Sequence, residues 1–455
     1  MHGTGRPGAD HDHHPGPALD LSEGTRAVPV LTNLLLNRFF SYATDMYQDK
    51  CQVPSETADL SRLALTTPRS MIRDVFDKAA RTPGVISLAL GEPSTTAPDH
   101  VVRAGIEAIR AGHTHYTDVL GIPEYRHSVA DYTRRVKGLS YDPGTEIHAT
   151  PGATLALYLA LRVVLDPGDE VAVFTPSFGT YEAQVILSGA TPVRVPLRPE
   201  VGMRMEAGEL ERALTPRTRA VILNSPGNPT GAVTDAHELA RIAAVCRAHD
   251  LWAISDEVYH PFVFDTGQVD RIVPAPSIAA CPGMRERTIV VDSLSKVFAM
   301  TGWRIGHLLA PHRVIVESGK LAEQMNSSLN APAQYAGAAA LAGPLDHVIR
   351  MRSQYEGTRD VVVDLLRDHP LLRVNSSMGA FFALVDVRGT GLTGGEFADR
   401  LLDQEHVAVV PGEAFGPGGN GFVRLSFAGD RADVTRGVER MADFADSLGH
   451  GALVA

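Results

Sequence analysis

Four short apolar runs, separated by segments long enough to hold helices, constrain the fold more than any other feature of this sequence. They are VAVF (171–174), AVIL (220–223), WAIS (252–255) and TIVV (288–291). Short apolar runs bounded by turn residues are typical of strands buried on both faces of a parallel sheet. Because helical patterns alternate with these strands, the sequence predicts an α/β fold.

The segment between the second and third runs shows the helical pattern most clearly. Its apolar residues recur at the spacing of one helix face: Leu239, Ile242, Ala243 and Cys246. This spacing predicts an amphipathic helix that packs on the sheet, with Thr234 or Asp235 as its N-cap.

Composition excludes several classes of protein. The chain has 455 residues, is 44% hydrophobic and 21% charged, and carries a formal net charge of -11. This length predicts a large core and two or three domains, and the acidic balance argues against nucleic acid or an anionic membrane as partner. Three scattered cysteines, no membrane-spanning apolar stretch and no signal pattern predict a cytoplasmic location.

Residues 1–62 differ from the rest and are interpreted as an N-terminal extension. Residues 1–26 are rich in Gly, Pro, His and Asp, which predicts a disordered tail. Two interpretations fit the histidines of this tail, which are His11, His13 and His14: they bind a metal ion, or they are part of a flexible polar segment. Residues 28–62 are more apolar, which predicts a helix whose role the sequence does not reveal.

Each apolar run leads directly into polar and turn-forming residues. TPSFGTY, NSPGNPTG, DEVY and DSLSK follow the four strands in order. Ligands of an open parallel sheet bind beyond the carboxyl ends of its strands. The sequence therefore predicts one site at this edge, built by all four segments.

An anion is the first ligand that these segments suit. Gly152 precedes a helical pattern over residues 154–165, whose free N–H groups and Thr154 hydroxyl would bind a phosphate. A plain capped helix is the alternative interpretation. Further donors follow the fourth strand: Ser293, Ser295 and Arg304.

Lys296, in the same segment, suggests which phosphate. A lysine amine becomes a useful nucleophile when it is desolvated or lies near another cation, and Arg304 is a candidate for that cation. A Schiff-base lysine beside a phosphate site indicates pyridoxal 5′-phosphate. Asp256 is the candidate carboxylate for the ring nitrogen, although a turn residue at a strand end is the alternative. Candidate partners for the ring oxygen and the ring face are Tyr259, Asn228 and Phe178.

Six segments resemble motifs of the class I/II aminotransferases, which are pyridoxal-phosphate enzymes of fold type I similar to aspartate aminotransferase. The resemblance covers roughly residues 63–445. Its motifs are ISLALGEPSTTAP, HYTDVLGIPEYR, NSPGNPTG, DEVY, SLSKVFAMTGWRIG and VVPGEAFGPGGNGFVRLSFA. The resemblance implies a mostly parallel sheet with helices on both faces in a large cofactor-binding domain (101–335). It also implies a smaller α+β domain formed by both chain ends (63–100 and 336–455).

The resemblance also assigns roles to residues. Lys296 would hold the cofactor as an internal aldimine and shuttle the proton, and Asp256 would keep the ring nitrogen protonated. Tyr259 and Asn228 would contact the ring oxygen. The phosphate would be held by the backbone at Ala153 and Thr154 together with Ser293, Ser295 and Arg304. Gly91, Asn228 and Arg424 would contact the substrate, with Arg424 clamping its α-carboxylate and Gly91 near that group. In a homodimer, Tyr116 would reach the neighbouring phosphate and Asn330 would line the partner's site.

These roles imply transfer of an amino group from an L-amino acid to a 2-oxo acid, through a pyridoxamine form. Elimination, cyclisation or oxidation of an amino acid shares the first steps and stays open. A non-catalytic regulator is a third alternative, but the extension has no basic recognition-helix pattern. The substrate side chain is not identified, because its candidate arginines also fit surface charges: Arg103, Arg110 and Arg194.

Overall fold

The computed structural model describes residues 60–67 and 69–451. From Arg62 onward the chain forms one compact unit. The predictions for the disordered tail, its histidine cluster and the helix within 28–62 fall almost wholly on residues 1–59. They therefore lie outside the described residues.

Thirteen strands occur in the described residues, and they form three sheets. The strands are β1 (Ile86–Ser87), β2 (Ile147–Thr150), β3 (Glu170–Thr175), β4 (Thr191–Pro196), β5 (Thr218–Asn224), β6 (Trp252–Asp256), β7 (Thr288–Ser293), β8 (Gly306–Leu309), β9 (Arg373–Val374), β10 (Phe382–Asp386), β11 (Val407–Ala408), β12 (Val410–Pro411) and β13 (Phe422–Ser426). The four strands predicted from apolar runs are confirmed as β3, β5, β6 and β7.

Fourteen α-helices accompany these strands in the same described residues. They are α1 (Arg62–Thr66), α2 (Met71–Arg81), α3 (Asp99–Arg110), α4 (Pro123–Tyr132), α5 (Ala153–Val164), α6 (Thr180–Leu187), α7 (Ala207–Ala213), α8 (Ala236–Ala248), α9 (Leu294–Val297), α10 (His312–Met325), α11 (Ala331–Ala342), α12 (Asp346–Leu366), α13 (Gly394–Glu405) and α14 (Arg431–Gly451). None of these helices combines the length and apolarity needed to cross a membrane.

The central sheet has seven strands in the order β2-β8-β7-β6-β5-β3-β4. Strands β3 to β7 pair in parallel, and β8 runs antiparallel to both of its neighbours. Every residue of β3, β6 and β7 except Trp252 is buried, which explains why these strands read as continuous apolar runs.

Side chains alternate between the two faces of this sheet. Val171 and Val173 pack in a cluster with residues of α5, α6 and α10, whereas Ala172 and Phe174 pack in a second cluster with residues of α7 and α8. Helices therefore cover both faces, and the predicted α/β fold with a mostly parallel central sheet is confirmed.

Helix α8 shows how local sequence places these helices. The Asp235 carboxylate accepts a hydrogen bond from the Glu238 N–H at 2.8 Å, so Asp235 rather than Thr234 is the N-cap. All four residues of the predicted apolar face are buried: Leu239, Ile242, Ala243 and Cys246. Helix α5 begins at Ala153 and ends at Val164, one residue before the predicted bounds.

The two smaller sheets involve both ends of the described chain. Strands β12-β13-β10-β9 form an antiparallel sheet, and β1 pairs in parallel with β11. Ile86 thus lies opposite Val407, so a segment before the central sheet is tied to one that follows it. The exact domain boundaries given above stay a prediction.

We predict that Ile254→Ala lowers the free energy of unfolding by about 2–5 kcal/mol. Ile254 is fully buried in β6, among the residues that pack against α5, so its loss leaves a cavity that the sheet cannot close. Val269→Ala is the control, because Val269 is 77% exposed, and its effect is expected within about 0.5 kcal/mol. Equal effects in denaturant-induced unfolding would contradict this packing.

Candidate active site

The ends of the central strands bring the predicted polar residues together. In the sheet register Asn224 lies opposite Asp256, and Asp256 lies opposite Val291, two residues before Ser293. The Asn224 side-chain amide also donates to the Asp256 carbonyl oxygen at 3.1 Å. The segments after β5, β6 and β7 therefore start from one edge of the sheet, as parallel pairing requires.

Lys296 lies in the short helix α9, immediately after β7. Its Nζ donates a hydrogen bond to the Gly91 carbonyl oxygen at 2.7 Å. Burial lowers the pKa of Lys296 to about 8; nearby Glu92 opposes this shift, whereas the charges of Arg424 and Arg304 add to it. The predicted effect of Arg304 on the lysine is therefore present but smaller than that of burial. An amine in this environment is far more often unprotonated at neutral pH than a surface lysine.

Asp256 ends β6 and its side chain is buried. The Tyr181 hydroxyl donates to Asp256 Oδ2 at 2.7 Å, and the Val258 N–H donates to Oδ1 at 3.3 Å. Burial raises the pKa of Asp256 to about 6 despite these two donors. Sequence reasoning missed Tyr181, although it lies in the quoted segment TPSFGTY, because the periodicity of that segment does not reveal where its hydroxyl points.

Helix α5 begins where Arg304 is placed. Gly152 has φ of +83°, and a Cβ at that position would lie 2.8 Å from Arg304 Nη2, so the guanidinium occupies the space beside the helix start. Arg304 Nη1 donates to the Thr301 carbonyl oxygen at 2.8 Å. The first N–H groups of a helix have no acceptor within it, so Ala153, Thr154 and Arg304 together form a corner of donors that suits an anion.

Ser293 and Ser295 lie next to this corner. Gly306 of β8 pairs with Thr150 on one side and with Ser293 on the other. A Cβ on Gly306 would lie 3.0 Å from the Ala153 nitrogen, so the three segments approach closely. Both serines are buried, and Ser293 Oγ accepts the Ser295 N–H at 3.4 Å as the cap of α9. The residues predicted to bind phosphate therefore converge.

Arg424 lies in β13 and is 2% exposed. Its Nη1 donates to Asn228 Oδ1 at 3.2 Å and its Nη2 donates to the Ala89 carbonyl oxygen, while Nε has no hydrogen-bond partner among the described residues. Its guanidinium carbon lies 4.5 Å from the centre of the Phe382 ring. Burial lowers the pKa of Arg424 to about 10. A buried cation of this kind suits a carboxylate brought by a ligand.

Gly91 connects Arg424 to Lys296. A Cβ on Gly91 would lie 3.6 Å from the Phe382 ring and 3.9 Å from Arg424 Nη1, while its carbonyl oxygen accepts the Lys296 ammonium. The predicted carboxylate anchor and the predicted nucleophile thus flank the same glycine.

Two aromatic residues complete the set. Tyr259 is buried, with its ring edge-on to Phe381 and Phe382 at centroid distances of 5.3 and 5.7 Å, and burial together with the Asp256 charge raises its pKa. Phe178 packs edge-on against Tyr181 at 5.7 Å. Phe178 therefore contacts the residue that binds Asp256, and its role in stacking on the ring stays a prediction.

Tyr116 and Asn330 are not brought to these residues within one chain. Tyr116 is 90% exposed, and Asn330 caps α11 by accepting the Ala333 N–H at 2.9 Å. Their roles at a neighbouring subunit stay predictions. The three arginines interpreted as surface charges are exposed: Arg103, Arg110 and Arg194.

Comparison with known proteins identifies the family. The family described as aminotransferase class I and II matches residues 83–441. The chain is 42% identical to an arginine–pyruvate transaminase from Pseudomonas aeruginosa, over 75% of this chain and 85% of that protein. It is 39% identical to aromatic-amino-acid aminotransferase 2 from Thermococcus litoralis, over 84% of this chain and 96% of that protein.

A solved structure shows the same fold. Aspartate aminotransferase from Thermus thermophilus with maleate superposes with a TM-score of 0.78 at 34% identity, covering 85% of this chain and all of that chain. The chain therefore belongs to the class I and II aminotransferases, a pyridoxal-phosphate-dependent family of fold type I. It is an aminotransferase, which favours amino-group transfer over elimination, cyclisation, oxidation or a regulatory role.

We predict that Tyr181→Phe destabilises the cofactor-free protein more at about pH 8 than at about pH 5. The pKa of Asp256 in the folded protein, about 6, exceeds that of an unfolded aspartate, so its ionised form costs stability above pH 6 and not below about 4. Loss of the Tyr181 donor increases that cost by about 1–3 kcal/mol at the higher pH.

Urea unfolding at both pH values measures this difference. Tyr158→Phe is the control, because no hydrogen bond of its hydroxyl occurs in the described part of the chain. A loss that is the same at both pH values would show that Tyr181 does not act on the Asp256 carboxylate.

Proposed function

We propose that this aminotransferase binds pyridoxal 5′-phosphate at Lys296 and transfers the amino group of an L-amino acid to a 2-oxo acid. One observation carries the proposal: the partly buried Lys296 amine and the buried Arg424 guanidinium both lie close to Gly91. A nucleophilic amine beside a carboxylate anchor is the arrangement that an α-amino acid requires.

The residues fit the cofactor in three respects. The corner formed by Gly152, Ala153 and Arg304 suits its phosphate, since the absence of a Cβ at Gly152 lets the Arg304 guanidinium lie beside the start of α5. The buried Asp256 suits a protonated ring nitrogen, and the low pKa of Lys296 suits its aldehyde. When bound, the cofactor supplies an electron sink for the bond cleaved at Cα.

The chain's own residues bind and orient the substrate around that electron sink. Arg424 binds the α-carboxylate through two N–H donors and fixes the direction of the Cα–H bond. Lys296, once its amine is free, would be the base that accepts the Cα proton of the bound amino acid. Asp256 holds the proton of the ring nitrogen, with Tyr181 orienting the carboxylate. Tyr259 and Asn228 would hydrogen-bond the ring oxygen.

A homodimer in the cytoplasm belongs to the same proposal. The support is that the Tyr116 side chain is exposed within one chain. It is therefore available to reach the phosphate of a neighbouring subunit, as the resemblance implies. The cysteines of the described region that remain as free thiols, Cys246 and Cys281, suit a reducing compartment. Domain bounds of 101–335 for the large domain, and of 63–100 with 336–455 for the small one, are proposed likewise.

The donor is to be found by spectral titration with a panel of L-amino acids, analysed for products by mass spectrometry. Arginine, aromatic amino acids and aspartate belong in the panel, because relatives are named for them. Loss of the absorbance of lysine-bound cofactor, together with the matching 2-oxo acid, identifies a donor. Release of ammonia or a cyclised product without a 2-oxo acid matched to the donor would refute transamination.

We predict that Lys296→Ala abolishes both turnover and the absorbance band of lysine-bound cofactor, because no other amine is placed beside Gly91 in the described residues. Lys320→Ala is the control, since Lys320 is exposed in α10 and pairs only with Glu317 there. Absorbance spectra and single-turnover assays measure both effects. Retention of the band in the Lys296 variant would refute the assignment.

We predict that Arg424→Ala weakens amino-acid binding by roughly 100-fold or more while the cofactor stays bound, since two charge-assisted hydrogen bonds are lost. Arg194→Ala, at an exposed arginine paired with Glu182, is the matched control. Amino-acid titrations of the absorbance band measure the change. Loss of the cofactor together with the substrate would mean that Arg424 has another role.

A further inference from the structure

A buried cluster of charges lies behind the residues proposed to bind the cofactor. Lys137 ends a π-helical turn (Thr133–Lys137) that follows α4, and its side chain is 2% exposed. Its Nζ contacts Glu257 Oε2 at 2.5 Å and Asp292 Oδ2 at 3.0 Å. A buried lysine that bridges two carboxylates carries a large desolvation penalty, so its position beside the site calls for a functional explanation.

Both carboxylates belong to segments that carry site residues. Glu257 directly follows Asp256, and its N–H donates to the Val291 carbonyl oxygen at 2.9 Å. Asp292 directly precedes Ser293, and its Oδ1 accepts the Ser293 N–H at 2.8 Å. Lys137 thus joins the strand end that carries the ring-nitrogen carboxylate to the strand end that leads to the phosphate turn and Lys296.

Hydroxyl and imidazole groups complete the cluster. The Ser255 and Ser277 hydroxyls donate to Glu257 Oε1 at 2.8 and 2.6 Å. His260 Nδ1 lies 3.3 Å from Asp292 Oδ2, and the Tyr132 hydroxyl lies 3.0 Å from His260 Nε2. Burial lowers the pKa of the neighbouring His307 to about 4, so that imidazole is neutral.

We propose that Lys137 is a positioning residue of the cofactor site, which fixes the spacing of the two strand ends and cancels one of the two buried negative charges behind Asp256. This inference rests on the proposed function, because it concerns the same carboxylate. The cluster of one lysine and two carboxylates has a net charge of -1. Without Lys137 the charge would be -2, and ionisation of Asp256 would become harder.

The groups that face Asp256 come from several elements. They are Tyr181 of α6, Glu257 and Tyr259 after β6, Asp292 of β7 and Lys296 of α9. Asp292 and Glu257 are the two whose charges raise its pKa. Substitutions of Lys137 or Asp292 therefore change the charge near Asp256 without replacing a residue that is proposed to contact the cofactor.

Substitutions that change the net charge of the cluster distinguish an electrostatic role of Lys137 from a merely structural one. Lys137→Met gives the cluster a charge of -2, Asp292→Asn gives 0, and the double variant restores -1, from the charges in the intact cluster. An asparagine still accepts the Ser293 N–H through its side-chain oxygen. A tether without an electrostatic role would make every variant defective in the same direction, and the double variant no better than either single one.

The test measures the dissociation constant of pyridoxal 5′-phosphate for cofactor-free enzyme as a function of pH. Binding weakens at acid pH as Asp256 becomes protonated, and the midpoint of that acid limb is compared between variants. Lys137→Met is expected to raise the midpoint by about one pH unit, Asp292→Asn to lower it similarly, and the double variant to restore it.

Two controls accompany this test. Arg134→Met removes an exposed cation of the same turn. Lys137→Arg keeps the buried charge and is used if Lys137→Met does not fold. Both variants are expected to keep the parental midpoint. Single variants that shift the midpoint in the same direction, or not at all, would overturn the inference. Failure of the parental enzyme to bind the cofactor through Lys296 would instead refute the proposed function.

Discussion

Parallel pairing of buried strands is the constraint on which the rest of this structure depends. Strands β5, β6 and β7 are covered by helices on both faces, and their backbone groups pair with neighbouring strands. Polar residues are therefore confined to the strand ends. Because these strands are parallel, their carboxyl ends meet at one edge, where Asp256 and Lys296 are placed.

The fold was predictable because its signals are local. Four apolar runs gave four strands, and one apolar face together with Asp235 gave α8. The convergence of the segments that carry Lys296 and Asp256 also followed from strand direction. The α5 start was joined to them only because its free N–H groups suit a phosphate. By contrast, β1, β11 and β12 have only two residues each, and their pairing depends on contacts between distant segments that no local pattern reveals.

Sequence reasoning missed side chains that contact the predicted site residues or the sequence neighbours of those residues. Tyr181 follows Phe178 by three residues, yet its hydroxyl donates to Asp256, 75 residues further along the chain. Lys137, in the run RRVKG, looks like one more surface cation beside Arg134 and Arg135. Its burial follows only from the packing of the turn against β6 and β7, which involves sequence separations of more than 100 residues.

Burial shifts the site's charged groups in opposite directions, and this difference explains how they can act together. Desolvation disfavours every charge, so it moves the pKa of Lys296 down to about 8 and that of Asp256 up to about 6. Both groups are thus brought towards neutral pH, where a small change in local charge alters their protonation. Arg424 keeps its charge even after its pKa falls to about 10. A site with two groups near their titration points and one permanent cation depends on the fixed charges behind it, and Lys137 is the buried cation that contacts both Glu257 and Asp292.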